Sequence, residues 1–242
     1  AQALGATSLE AEESEHFTAG LVYKPSANFS VSGDYFYTKI NNRIIFSRNI
    51  TPSISPEVAN ILAGGNLFAA RFFTNALDTE TQGYDLRADY KLDFQAQGEL
   101  KLSALYHYNK TKIKGGVRSP SILGADGGGV IFSDEDQERL ESGQPNESLI
   151  LTANYKIGDF NSVFRVIKAG AFSEEERRLS SQWLADVDIA YQIHNFNIAV
   201  GAHNLFNSNH RDSKNSVEGI ALQNSPYGYN GGFYYLRLSA DF

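Results

Sequence analysis

The sequence predicts an all-β protein, an antiparallel transmembrane β-barrel. Apolar and polar residues alternate with period two through about nine segments. The connections between those segments alternate between short turns and long loops. Aromatic residues gather at both ends of the segments' apolar face. An amphipathic strand places successive side chains on opposite faces, so each segment presents one apolar and one polar wall.

The segments follow in order. Phe17, Ala19, Leu21 and Tyr23 share a face. Phe29, Val31, Gly33, Tyr35 and Tyr37 oppose Ser30, Ser32, Asp34 and Thr38. Tyr84, Leu86, Ala88, Tyr90 and Leu92 oppose Asp85, Arg87, Asp89 and Lys91. Leu100, Leu102, Ala104, Tyr106 and Tyr108 oppose Lys101, Ser103, His107 and Asn109. Leu149, Leu151, Ala153, Tyr155 and Ile157 oppose Ser148, Thr152, Asn154 and Lys156. The weakest segment covers roughly 161–171, where Phe164 and Val166 flank Arg165. Trp183, Ala185, Val187, Ile189, Tyr191 and Ile193 oppose Asp186, Asp188 and Gln192. Phe196, Ile198, Val200 and Ala202 oppose Asn197, Gly201 and His203. Last, Tyr234, Leu236, Leu238, Ala240 and Phe242 oppose Tyr235, Arg237, Ser239 and Asp241.

Short turns are expected at 24–28, 94–98, 158–160 and 194–195, and long loops at 47–79, 112–146 and 207–231, with 172–180 intermediate. That rhythm describes an outer-membrane barrel with its short turns, and the carboxy-terminus, in the periplasm. Tyr23, Phe29, Tyr90, Tyr155, Tyr191, Phe196 and Phe242 lie near the short turns on the apolar face. Phe17, Tyr37, Tyr84, Tyr106, Tyr108, Trp183 and Tyr234 lie near the long loops. Two aromatic girdles around an aliphatic band match the two headgroup levels of a bilayer. A soluble sandwich core has no reason to sort its aromatics to both ends.

Composition is compatible with this. Mean hydropathy is -0.33, and no apolar run reaches the roughly 18 residues of a membrane helix, but a barrel strand is only half apolar. The 242 residues contain no Cys and no Met, so disulfide frameworks and thiolate metal sites are excluded. Without Met, Ala1 reads as the start of a processed chain or fragment, and residues 1–14 hold no apolar core of a signal peptide. A net charge of -7 without a basic block argues against a nucleic-acid partner.

Two loops carry helix signals. Ser55-Pro56-Glu57 supplies an N-cap, a proline at the first helical position and an early acid, ahead of a stop at Gly64-Gly65. Ser133-Asp134-Glu135-Asp136 opens a turn or two through Leu140 and Glu141. Both read as folded surface loop. The glycine-rich run 124–129 lacks the Lys-Ser/Thr of a phosphate loop and reads as flexible.

Several stretches resemble the carboxy-terminal barrel of TonB-dependent outer-membrane receptors. Leu9 to Leu21 is similar to the Leu-x-x-Glu-x-Ser stretch that opens a strand in that family, and Thr74 to Leu86 to its asparagine-to-glycine lead into a later strand. Asn204-Leu205-Phe206-Asn207 resembles the signature before the last loop, and Gly231 to Phe242 the terminal strand. The resemblance implies a barrel of about 22 strands, of which residues 1–242 form the carboxy-terminal segment, with the plug domain and earlier strands absent and the start inside an extracellular loop. It implies TonB as a partner through the plug, outer-membrane lipid around the barrel, and an extracellular small-molecule substrate, a ferric siderophore or similar metal complex. No cofactor and no covalent chemistry are expected. A passive porin and a soluble β-rich binding domain are the alternatives.

Specific side chains follow from these assignments. Asp85, Arg87, Asp89, Lys91, Lys101, Arg165, Asp186, Asp188 and Arg237 fall on the polar wall and are expected to face the lumen, where charges need partners or water. Arg43, Arg48, Arg71, Phe72, Phe73, Tyr227 and Tyr229 are loop cations and aromatics that a substrate could touch. The five histidines are scattered without a metal-ligand spacing, and no Gly-x-Ser-x-Gly elbow is present.

Overall fold

The structure is a computed structural model that describes residues 1–174, 177–208, 225–226 and 231–240. Among the described residues there are eleven strands: β1 (Glu13–Ser26), β2 (Phe29–Phe46), β3 (Phe73–Asp93), β4 (Glu99–Lys114), β5 (Glu147–Ile157), β6 (Phe160–Ala169), β7 (Phe172–Glu174), β8 (Arg177–Leu179), β9 (Gln182–Ile193), β10 (Phe196–His203) and β11 (Phe233–Ala240). Nine of them form one sheet in the order β1-β2-β3-β4-β5-β6-β9-β10-β11. The pair β7-β8 is a separate two-stranded sheet inside the intermediate connection. Each alternating segment of the sequence is therefore a strand, and sequence neighbours pair as hairpins.

The registers of β4-β5, β5-β6 and β6-β9 preserve the two walls. Leu102 faces Ala153 and Ala104 faces Leu151 across β4-β5. Leu151 faces Val166 and Ala153 faces Phe164 across β5-β6. On the other wall Ser103 faces Thr152, and Thr152 faces Arg165, which faces Asp186. A slip of one residue in any pair would mix the two sets, so the hydrophobic pattern specifies the register. The apolar wall is the exposed one: Leu102, Leu151, Phe164, Ile189, Tyr191, Leu236 and Leu238 all stand open. A water-exposed wall of this kind is costly, and a wall that faces acyl chains is not.

Turns are built from residues that accept positive φ. The β9-β10 hairpin closes on His194 at φ 53, and the β5-β6 hairpin on Gly158 at φ 51. At Gly98, φ is 100, and a side chain there would collide with the Lys156 carbonyl and Ile157, so only glycine fits that turn.

The chain divides into two compact units. One comprises 1–18, 36–82 and 110–142, the other 19–35, 83–109 and 143–242. The first carries the loops between β2 and β3 and between β4 and β5. These loops share a buried apolar core of Leu4, Ile50, Val58, Leu62, Phe72, Ala76, Leu77, Leu123 and Ile131. Full burial of each large side chain contributes about 1.5–3 kcal/mol, so the loops, expected to be folded, also share a core of their own. Helix α1 (Pro56–Gly64) has Ser55 as N-cap, its hydroxyl accepting from the Val58 amide at 3.2 Å, and it buries Val58 and Leu62. The glycine-rich run, expected to be flexible, contains α2 (Gly127–Ile131), which buries Gly127 and Ile131. Its glycine is structural: a Cβ at Gly127 would sit 2.7 Å from Ser119 Oγ and 2.9 Å from Leu123 Cβ. Helix α3 (Asp134–Ser142) starts at a reciprocal cap, with Ser133 N donating to Asp136 Oδ2 and Asp136 N to Ser133 Oγ, each at 3.2 Å.

Candidate functional site

The loop module presents a rigid face, and two polar hubs hold it on the ends of its strands. The first is Arg118, in the loop after β4. Its guanidinium forks onto Asp78, with Nη1 donating to Oδ2 at 2.7 Å and Nη2 to Oδ1 at 3.0 Å. Nε donates to the Asn75 carbonyl and Nη2 to the Leu77 carbonyl, each at 3.2 Å. A bidentate, charge-assisted pair of this kind is directional as well as strong. Asp78 also accepts from the Asn42 amide at 2.8 Å. It lies on β3 beyond Tyr84, outside the band bounded by the aromatic girdles. The Arg118 fork holds its carboxyl below the usual range, the Asn42 amide adds to this, and partial burial opposes both. The second hub is Asn75, whose Nδ2 donates to the carbonyls of Glu10 (3.0 Å) and Asn42 (2.6 Å) while its Oδ1 accepts from the Glu10 amide at 2.9 Å. Neither hub was singled out as functional in the sequence. Asn75 and Asp78 lie in the Thr74–Leu86 stretch that carried a resemblance, whereas Arg118 has no local signal at all.

The expected substrate-contact residues divide sharply. Arg71 lies over the Phe46 ring at 4.2 Å and donates Nε to the Ser47 carbonyl at 2.7 Å. Phe46 packs on Phe73 with centroids 4.7 Å apart, and both rings are exposed. Together they make an open aromatic and cationic surface, with Phe68, 95% exposed, on the same loop. Phe72 is only 6% exposed and belongs to the apolar core, so its role is to hold the module together. Arg43 donates to Thr79 Oγ1 at 3.3 Å, and Arg48 lies 4.0 Å from Asp136. Tyr227 and Tyr229 lie outside the described residues.

In the second unit, cross-strand partners put most of the expected lumen charges on one wall. His107 Nδ1 is 2.6 Å from Asp85 Oδ1. Arg87 forks onto Asp89 at 2.6 and 3.0 Å. Glu99 takes both Lys91 and Lys101, the latter at 3.0 Å. Asp186 accepts the Asn204 amide at 2.9 Å, has His203 Nδ1 at 3.6 Å, and stands across from Arg165 in the register. Asp188 accepts from Tyr235 Oη at 2.7 Å and from Arg237 Nη2 at 3.4 Å. A cavity of about 430 Å³ opens on this wall among Ile167, Leu184, Asp186, His203 and Asn204. These pairs keep to the polar wall; the Lys168–Glu147 pair, at 2.8 Å, is on the apolar parity, where Lys168 stands across from Leu149 and Trp183.

Comparison with known proteins places this architecture. The family model "TonB dependent receptor-like, beta-barrel" matches residues 1–205. The outer membrane transporter YddB from Escherichia coli superposes with a TM-score of 0.64 at 14% identity, over 97% of this chain and 33% of that one. The FrpB iron transporter from Neisseria meningitidis (F3-3 variant) gives 0.58 at 14%, over 84% and 27%. The ferric yersiniabactin uptake receptor FyuA from Yersinia pestis gives 0.55 at 15%, over 83% and 26%. At these identities the likeness is one of fold, and the chain spans about a quarter to a third of the length of these structures. No curated protein matches. The nine-stranded sheet, its exposed apolar wall and the family match agree: the chain belongs to the TonB dependent receptor-like β-barrel family, and it is a segment of a barrel of the bacterial outer membrane.

Proposed function

We propose that this chain is the carboxy-terminal segment of a barrel of about 22 strands that takes up a scarce nutrient by TonB-dependent active transport. The long loops face the outside, the short turns and the carboxy-terminus the periplasm, and an amino-terminal plug supplies the contact with TonB. The substrate is a metal complex, a ferric siderophore or a similar chelate. Structures of similar fold are described as an iron transporter, a copper transporter and a ferric yersiniabactin uptake receptor.

The observation that carries this reading is the folded loop module. Loops with their own apolar core and hydrogen-bonded hubs hold Arg71, Phe46 and Phe73 in fixed relation on an open surface. A passive pore needs no such platform, whereas a receptor that must recognise a dilute ligand gains affinity from preorganisation.

The test is uptake of radiolabelled ferric chelates by cells that express the full-length protein, with and without TonB. Accumulation that requires both is expected. Uptake that persists without TonB and scales linearly with external concentration supports a passive pore instead.

A further inference from the structure

One row on the polar wall of the second unit is apolar. Leu105 faces Ile150 across β4-β5, Ile150 faces Ile167 across β5-β6, and Ile167 faces Leu184 across β6-β9. The rows on either side are not. Towards the short turns stand Ser103, Thr152, Arg165 and Asp186, and towards the long loops His107, Ser148, Ala169 and Gln182. Four large apolar side chains therefore line up across four strands, on the opposite wall from the exposed apolar one. Leu184 is buried, Ile150 and Ile167 are half-buried, and Leu105 is exposed. Apolar surface left in water is unfavourable, so such a row favours an apolar cover.

The row ends at the cavity of about 430 Å³, where Ile167, Ala169 and Leu184 supply the apolar lining. His203 lines it too, and its ring is stacked on Phe233 at 6.4 Å and 14°, with Tyr235 at 5.6 Å. Phe233 is itself exposed. The carboxylates at the rim are already matched. Glu147 belongs to the apolar parity and holds Lys168 at 2.8 Å. Asp186 accepts the Asn204 amide at 2.9 Å, has His203 Nδ1 at 3.6 Å, and stands across from Arg165. The cavity thus offers apolar walls and a ring stack, but no unmatched charge for an ionic group.

Three features select the occupant. The volume lies in the range of about 300–1,000 Å³ typical of small-molecule sites, whose walls are mostly apolar with a few placed polar groups. A flat ring fits against Ile167 and Leu184 and gains further from the stacked His203 and Phe233, whereas a charged or sugar-like group would lose hydrogen bonds over the apolar lining. The cavity also lies at the long-loop end of the sheet, since Glu147 ends one long connection and Asn204 precedes another. We propose that this cavity is a subsite for an uncharged aryl arm of the transported complex, separate from the part that chelates the metal. The subsite rests on the reading of the chain as part of a receptor for a metal complex, and it adds the chemistry of the substrate's arm.

The probes are two radiolabelled ferric complexes of one linear trihydroxamate, its terminal amine capped by benzoyl in one and by acetyl in the other. They share the metal centre and the charge and differ only in the arm. Binding and uptake are measured on cells that express the full-length protein, with and without TonB. Wild type is expected to bind the benzoyl complex at least roughly tenfold more tightly, the discrimination that a hydrophobic pocket achieves for a single methylene. Ile167→Asn and Leu184→Asn should bring the two affinities together, while Ile167→Leu keeps them apart. Asn154→Ala, on the same wall towards the short turns, should also keep the preference. Heat-modifiable gel mobility shows that each variant is folded, and Ile167→Ala serves if the Asn variants are not. TonB-dependent uptake of both complexes at equal affinity, or a preference that survives in folded Ile167→Asn, overturns the subsite and leaves TonB-dependent uptake standing. Slower uptake of both complexes by Ile167→Asn at unchanged affinities also overturns it, and would show that the row seats the plug. Binding of neither complex by wild type overturns the subsite together with the metal-complex reading.

Discussion

Tyr235 lies across Gly201 on the polar wall, the two directly paired between β10 and β11. A Cβ at 201 would run into the ring and hydroxyl of Tyr235 and stand 2.8 Å from the Val187 carbonyl. The missing side chain on one strand is therefore the seat for the ring from the next. From that seat Tyr235 reaches Asp188, which Arg237 also approaches. Gly201→Ala is expected to destabilise the assembled barrel by about 1–3 kcal/mol, the cost of overpacking. In a Tyr235→Ala background the same substitution should cost less, because the clash with the ring has gone and only the approach to the Val187 carbonyl remains. Urea titration of heat-modifiable folded barrel, across the four proteins of the cycle, checks this. Equal costs of Gly201→Ala in both backgrounds would mean that the ring is not what the glycine accommodates.

The Arg118–Asp78 fork gives the loop module an acid limit. The Asp78 carboxyl titrates below its unfolded value of about 3.9, so its contribution is complete above that value and is lost as pH falls through the depressed folded one. Protease resistance of the loop at 115–133 should thus be flat through neutral pH and decline only under strong acid. Asp78→Asn should remove that acid step. Arg118→Gln should cost about 1 kcal/mol at neutral pH, a modest figure because the Arg118 side chain is 43% exposed and solvent screens the pair. Limited proteolysis with an acid-active protease reads all three. An acid step that survives in Asp78→Asn would assign it to another carboxylate.

The two walls should differ in their tolerance of charge. Leu151 faces Ala104 and Val166 across its neighbours, and Val187 faces Phe164, all on the apolar wall. Leu151→Arg and Val187→Arg should each cost about 2–4 kcal/mol in the intact barrel, the penalty for a cation near the bilayer midplane. Ser103→Arg, on the polar wall, should cost less. Asp186 would be a poorer control, because it accepts the Asn204 amide at 2.9 Å. Folding titrations into vesicles give the comparison, and similar losses on both walls would reverse the face assignment.

The strands were legible because a half-apolar wall imposes a period that no neighbouring feature needs to explain. Leu100 to Tyr106 and Leu149 to Ile157 announce their faces residue by residue, and the registers keep them. Helix α1 was legible for a local reason, since Ser55-Pro56 is a start signal in itself. Helix α2 was not: three glycines have no periodicity, and Gly127 is there because Ser119 and Leu123 leave no room for a side chain. Strands β7 and β8 are three residues each, too short to show a period. The module was hidden for the same kind of reason. Phe72 beside Arg71 looks like a ligand contact, and only Leu4, Ile50 and Ile131, remote in sequence, make it core. Arg118 finds Asp78 across 40 residues of chain, which no window of local pattern spans.

The last expectation separates the surface of the module from its core. If Arg71, Phe46 and Phe73 contact the transported complex, Arg71→Ala and Phe73→Ala should lower substrate affinity while the module stays folded, because both side chains stand on its exposed side. Loss of a contact of this kind at a binding surface typically costs about 1–2 kcal/mol, or roughly tenfold in Kd. Phe72→Ala and Ile131→Ala act differently. Each opens a cavity in the shared core and should cost the module about 2–5 kcal/mol, exposing both loops to protease and lowering affinity only through that unfolding. Deletion within 112–146 would confuse the two effects, since it removes Leu123 and Ile131 along with any surface contact. Ligand binding to whole cells should therefore be measured beside limited proteolysis of the same cells. Affinity lost with intact loops locates the contact on the exposed face. Wild-type affinity in both Arg71→Ala and Phe73→Ala, with the loops equally resistant, would move recognition to the plug or to strands outside this chain.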